Sequence, residues 1–185
     1  MKFKLLWVIG AVALNFVALK KAAAQDYHQL TIDDFQGVPR PNGTGVIAYT
    51  NCTIDFRYEA TYKNGYYLLN FNIRLLMNRD RSWMDKAKVT SQAMLAEILK
   101  HEQGHYIIAY MEQQELLRIV GRTVFRDDYQ QAAQAIFDRV DAKYKQLNRD
   151  YDDDTQHMVN RTQQKTWNGY FEKQLAYMPP PKEQY

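Results

Sequence analysis

The pentapeptide HEQGH at positions 101–105 constrains this chain more than any other feature, because it lies inside a long stretch of helix-type residues. From Ser91 to Val120 there is no proline. Within that stretch, helical spacing puts a mainly apolar set of residues on one face: Met94, Ile98, His101, His105 and Ile108. The pattern predicts one long helix whose buried face carries both histidines.

The spacing of the two histidines is typical of a zinc site. Residues four apart on a helix lie one above the other, so the imidazoles of His101 and His105 can reach the same ion. Glu102 between them can take a proton from a water molecule at that ion and later pass it to a leaving group. The motif therefore predicts two metal ligands and a catalytic base.

A catalytic zinc ion normally has three protein ligands and one open position, so a third ligand must come from elsewhere. The metzincin extension would need glycine and histidine at positions that hold Ile108 and Met111 in this chain. A thermolysin-like site would need a glutamate on a following helix. The chain contains none between Glu115 and Glu172. Both of those arrangements are excluded.

His157 is the predicted third ligand. It follows the acidic run Asp152-Asp153-Asp154, whereas the remaining histidine, His28, is near the start of the mature chain. Asp152 and Asp154 stay open as alternative ligands, or as partners for the second ring nitrogen of His157. The run from residue 152 to residue 155 also has the composition of a helix N-cap.

The N-terminus has the pattern of a secretory signal peptide. Lys2 and Lys4 precede an apolar run over residues 5–19, and Ala22-Ala23-Ala24 offers a small-residue cleavage site. We expect a signal peptide at residues 1–24, a single mature domain at 25–178 and a flexible tail at 179–185. Lys20 and Lys21 leave an uncleaved membrane anchor as the alternative, although the run is short for a membrane span.

Charge argues against a nucleic-acid partner. Removing residues 1–24 takes away four lysines, which leaves 20 basic against 21 acidic residues and a net charge of about −1 in the mature chain. We therefore expect a secreted or periplasmic protein that binds neither nucleic acid nor, after signal cleavage, a membrane. Cys52 is the only cysteine, so no disulfide can form within the chain.

The residues before the motif predict a β-hairpin. Two runs at 48–62 and 66–77 are rich in β-branched and aromatic residues, and Lys63-Asn64-Gly65 between them is a turn signal. Alternation along the second run predicts one buried and one exposed face. We hypothesise that this second strand offers an edge to an extended peptide. Residues 78–83 read as a polar connection to the helix, with Thr90 or Ser91 as its cap.

The C-terminal part predicts two more helices. Apolar residues recur at near-helical spacing from 127 to 147, and a further polar helix is expected from about 155 to 177. These helices would carry His157 back over the metal helix. The fold class predicted is α+β and zincin-like: an N-terminal antiparallel hairpin or small sheet, the HEXXH helix, then C-terminal helices.

Four blocks of sequence together resemble a bacterial family of predicted secreted zinc-dependent proteases, the domain of unknown function 922 family. The blocks are LTIDDFQG at 30–37, Ser82-Trp83, LKHEQGHY at 99–106, and Tyr151-Asp152 with Thr155 and His157. The resemblance runs through nearly all of the mature chain. It implies that His101, His105 and His157 bind zinc and that Glu102 is the catalytic base.

The sequence thus predicts a secreted zinc metallopeptidase that acts on a peptide or protein substrate. A zinc amidase acting on cell-wall peptides would share every ligand and differ only in its cleft. A secreted binding module with a structural or vestigial metal site is the alternative outside enzymology. A structural site would be closed by four protein ligands, whereas a catalytic site keeps one position open.

Overall fold

The computed structural model describes residues 27–40 and 46–178, so the predicted signal peptide and tail lie outside the described residues. The described chain is α+β, as predicted. Its strands are β1 Ala48–Tyr49, β2 Cys52–Lys63, β3 Tyr66–Met77 and β4 Trp83–Met84. Its helices are α1 Gln92–Val120, α2 Tyr129–Thr155 and α3 Arg161–Tyr177. Among these residues no helix is both long and apolar enough to cross a membrane.

The predicted hairpin is confirmed as the antiparallel pair β2 and β3. Asn64 and Gly65 connect the strands with φ of 52° and 86°, the left-handed conformation that two-residue hairpin turns require. The alternation along β3 is confirmed too, since Ile73 and Leu75 are buried while Arg74 between them is exposed. The buried face of the hairpin packs on α1.

A second, smaller sheet was not expected. Trp83 was predicted to lie in a polar connection, but it is buried and belongs to β4, which pairs with β1. Two residues are too few to show strand periodicity in a sequence, which is why this pairing was missed. This pair contains residues 48–49, and Thr50 directly after them contacts Glu102 on the central helix.

Helix α1 has the predicted length and start. Ser91 is its N-cap, with a side chain that accepts a hydrogen bond from the Met94 backbone nitrogen at 3.1 Å. The helix lies between the hairpin and the two C-terminal helices, so apolar side chains on several faces are buried. The main core includes Ile107, Ile108, Met111, Leu116, Val140 and Phe171.

The boundary between α2 and α3 differs from the prediction. Helix α2 runs on to Thr155, so the interpretation of residues 152–155 as an N-cap is wrong. The helix ends in three left-handed residues, Gln156, His157 and Met158, with φ of 49°, 51° and 77°. Asn160 then caps α3. No glycine or proline between 122 and 168 marks this break, so the sequence did not reveal its position.

Candidate metal centre

His101 and His105 lie together on the face of α1 that meets α2. Their Nε2 atoms are 3.2 Å apart. The His101 ring is buried and stacks on the ring of Tyr151 in α2, with centroids 4.8 Å apart. The helical spacing that predicted a shared site therefore brings the two ring nitrogens to one point.

The outer nitrogens of both rings are held by side-chain amides. His101 Nδ1 lies 3.0 Å from Gln164 Oε1, and His105 Nδ1 lies 2.8 Å from Asn148 Oδ1. An amide oxygen only accepts hydrogen bonds, so each Nδ1 is the donor and carries the proton. Each Nε2 is then the nitrogen whose lone pair can bind a metal once any proton on it is displaced.

Asp152 and His157 bring two more donor atoms to the same point from the end of α2. Asp152 Oδ1 lies 3.4 Å from His101 Nε2, 3.2 Å from His105 Nε2 and 3.2 Å from His157 Nδ1. The donor atoms of His101, Asp152 and His157 all lie within 4.8 Å of one another. Asp152 Oδ1 is buried, and among the described residues no donor other than these imidazole nitrogens reaches it.

These distances fit a metal ion. Donors about 2.0–2.1 Å from a tetrahedral ion lie about 3.3–3.4 Å from each other. Four of the six donor pairs at the centre lie between 3.2 and 3.4 Å apart, and the donor atoms of His101 and His157 lie within 4.8 Å of each other. Lone pairs that face each other and a buried carboxylate oxygen without another donor are costly unless a cation lies between them. The group of His101, Asp152 and His157 can therefore hold a metal, with His105 beside it.

The pKa shifts of His105 and Asp152 also favour positive charge at the centre. Burial lowers the pKa of His105, but hydrogen bonding to Asp152 and the charges of Glu102 and Asp152 outweigh it and raise the pKa to about 9. Burial raises the pKa of Asp152, but the nearby histidines outweigh it and hold this pKa well below its usual range. A proton or a cation is thus stabilised where the four donor atoms meet.

Glu102 lies beside the donors in a buried position. Its Oε2 accepts a hydrogen bond from Thr50 Oγ1 at 2.6 Å, and Thr50 stands between β1 and β2. Glu102, His101 and His157 help to line a cavity of about 10 Å³. That volume is close to the minimum for one water molecule.

A larger cleft of about 480 Å³ opens on the other side of His105 and Asp152. Its walls are residues 49–54 and the facing sides of α1 and α2. The strand along the cleft is thus the first strand of the hairpin, not the second strand that we had hypothesised as the edge for a peptide. Among the described residues β2 pairs only with β3, so its other edge is open.

The structure separates the candidates that the sequence left open. His157 and Asp152 both reach the centre, whereas Asp154 accepts a hydrogen bond from Trp167 Nε1 at 3.0 Å. His28 pairs with Asp34 instead, at 2.9 Å. Sequence reasoning missed the roles of Thr50, Gln164 and Asn148, because nothing in the local pattern of a lone polar residue tells which distant side chain it meets.

A family described as a bacterial protein of unknown function matches residues 23–158, which include every donor atom of the centre. No curated protein and no solved structure gives a significant match. Because the match covers more than half of the chain, the protein belongs to this bacterial family of unknown function, DUF922.

Proposed function

We propose that the chain is a secreted zinc metalloprotease. His101, His105 and His157 bind the zinc ion together with Asp152, and Glu102 acts as the general base. The observation that carries the proposal is the convergence of the Nε2 atoms of His101 and His105 and the Nδ1 atom of His157 on Asp152 Oδ1, each at 3.2–3.4 Å, beside a buried glutamate. Imidazole nitrogens with one carboxylate are a donor set that suits zinc.

The residues around the centre have different roles in the proposed hydrolysis. A bound zinc ion supplies an activated water and a Lewis acid for the substrate carbonyl. Glu102 accepts the proton of the attacking water and transfers it to the leaving nitrogen. Gln164 and Asn148 keep His101 and His105 in the tautomer that binds the ion.

If all four donors bound a zinc ion, one of them would have to dissociate to leave a coordination position for water or substrate. His157 is the most exposed of them, with 45 % of its side chain accessible, against 4 % for His101, 12 % for His105 and 27 % for Asp152. It also lies in the left-handed segment after α2, where non-glycine backbone is strained. We propose that His157 is the ligand that exchanges.

The cleft favours an extended peptide as the substrate. A strand with an open edge lines it, and an extended chain can add to such an edge by main-chain hydrogen bonds. His105 and Asp152 stand in the wall of the same cleft, so a peptide there would pass the metal centre. An amide in a cell-wall peptide would meet the same residues.

The four donors also support a second candidate, a secreted binding module with a structural zinc ion. A structural zinc site is normally closed by four protein ligands, and four protein atoms meet at this centre. The two candidates differ in the role of Glu102. A module needs no base, so replacing Glu102 would leave its ligand binding unchanged.

The test compares zinc-loaded wild type with Glu102→Gln on a mixture of unstructured peptides, with zinc content measured in parallel. We expect the variant to keep its zinc and to lose hydrolysis by about 10²–10⁴-fold, as for the loss of a general base. Glu97→Gln is the matched control, because Glu97 is on the same helix but pairs with Arg161 on the surface. Equal hydrolysis by Glu102→Gln would eliminate the metalloprotease proposal.

A further inference from the structure

We infer that Thr50 is a positioning residue for Glu102. The Thr50 hydroxyl holds one oxygen of the Glu102 carboxylate so that the other oxygen faces the reacting water. This inference rests on the proposed function. Thr50 stands 52 positions before Glu102 in the chain, and it is buried at 8 % exposure. Its hydroxyl donates a hydrogen bond to Glu102 Oε2, and the distance of 2.6 Å is typical of a charge-assisted hydrogen bond.

The Thr50 hydroxyl reaches only one carboxylate oxygen of Glu102; its other contact with this residue is the backbone carbonyl oxygen, at 3.5 Å. In the part of the chain that the structure describes, Oε2 accepts from Thr50 and no hydrogen bond reaches Oε1. A glutamate side chain can turn about its terminal torsion, so an unheld carboxylate would present either oxygen or rotate onto the metal. The Thr50 hydroxyl removes that freedom and leaves Oε1 to accept a proton.

The backbone around Thr50 is well supported, as a positioning role requires. Tyr49 before it pairs with Trp83 of β4. Asn51 after it donates its backbone N–H to Ser82 Oγ at 2.9 Å and accepts from the Asn78 backbone at 2.9 Å. The backbone on both sides of Thr50 is therefore held by β4 and by the segment 78–82, neither of which carries a metal ligand, so Glu102 is anchored from outside its own helix.

Two substitutions at this position separate the hydroxyl from the packing. Thr50→Val keeps the shape and removes the donor, whereas Thr50→Ser keeps the donor. We expect kcat of Thr50→Val to fall about tenfold or more, with KM and zinc content unchanged, as for an interaction that acts only on the transition state. Thr50→Ser should keep kcat within about twofold of wild type.

A second measurement needs no activity. Thermal unfolding of Thr50→Val, Glu102→Ala and the double variant, all zinc-loaded, forms a double-mutant cycle. We expect the fall in Tm of the double variant to be smaller than the two single falls added together, because both singles break the same hydrogen bond. Additive falls would overturn the inference, since the two side chains would then not interact.

The outcomes also separate this inference from the proposed function. If wild type hydrolyses peptides and Thr50→Val keeps its kcat, the positioning role is wrong and the metalloprotease stands. An equal loss of kcat in Thr50→Ser and Thr50→Val would also contradict the role, because the hydroxyl would not be what matters. If wild type and Glu102→Gln are alike, the proposed function fails and this inference fails with it.

Discussion

Asp152 and His157 differ in how firmly the fold holds them at the metal centre. Asp152 stands in the last turns of α2, and its Oδ1 is buried without a donor other than the imidazole nitrogens of the centre. His157 lies beyond the helix and is the most exposed of the four donors. At the scale of single residues, the carboxylate therefore depends on positive charge at the centre more than the imidazole does, because a buried carboxylate is costly unless its neighbours or a bound ion carry that charge.

This difference predicts unequal effects on metal binding. His157→Ala should weaken zinc binding by at least the roughly 10- to 100-fold that losing a residue outside the coordination sphere costs, and Asp152→Ala should weaken it by more. The measurement is a competition titration with a chelator of known affinity, for both variants and wild type. A larger loss in His157→Ala than in Asp152→Ala would show that His157 is a permanent ligand and not the exchanging one.

Glu112 in the cleft gives a prediction on pH. Burial, followed by the charge of Asp141, raises the pKa of Glu112 to about 7, while Lys145 lowers it in part. The folded state thus holds this proton more tightly than the unfolded chain does. Its stabilising effect is complete below the ordinary glutamate pKa, about 4.3, and is lost as the pH rises through about 7.

Glu112→Gln removes that dependence. We expect the free energy of unfolding of wild type, relative to the variant, to fall between about pH 4.3 and pH 7 and to level off above. Urea unfolding at a series of pH values measures it, with Glu59→Gln on the exposed hairpin as the control. Parallel curves for wild type and Glu112→Gln would mean that the carboxyl is not desolvated in the folded protein.

At the scale of elements, α1 and α2 are in close contact where Gly104 faces Tyr151. A Cβ atom at position 104 would lie 2.5 Å from Cζ and 2.7 Å from Cε1 of that buried ring. The ring also stacks on His101, and the Tyr151 hydroxyl donates to the His101 carbonyl at 3.0 Å. The glycine of the HEQGH motif is therefore needed for helix packing beside the metal ligands.

Gly104→Ala should destabilise the fold by about 1–3 kcal/mol, the usual range for overpacking a core. Gly169→Ala in α3 is the matched control, because no atom lies within 4 Å of its added Cβ. That change should stabilise by about 0.5–1 kcal/mol, since alanine favours a helix interior over glycine. Chemical denaturation measures both variants. A Gly104→Ala variant as stable as wild type would contradict the close contact with Tyr151.

The elements differ in how well their sequences predict them. The hairpin and α1 were predictable, because alternation, the Asn64-Gly65 turn and the Ser91 cap are local signals. The end of α2 was not, because it turns at Gln156 and His157 without glycine or proline. The observed boundary places Asp152 in the last turns of α2 and not at a helix N-cap, and from there it reaches the histidines.

For the whole molecule, the centre joins parts of the chain that only tertiary packing brings together. His101 and His105 were predictable from one motif, and His157 from elimination among the histidines. Thr50 and Gln164 were not predictable, because each acts on a residue more than 50 positions away. Patterns in sequence report on neighbours along a helix or strand, whereas the partners that orient a ligand come from other elements.

Zinc bound at this centre would link α1 to the end of α2, so the metal content of the protein is the central claim in measurable form. We would measure zinc per chain in purified wild type, in His101→Ala and in His28→Ala after zinc reconstitution and desalting. His28 is the control, because it pairs with Asp34 and not with the metal centre. The account predicts one zinc ion per chain in wild type and His28→Ala and none in His101→Ala. Wild type without zinc, or His101→Ala with as much zinc as wild type, would contradict it.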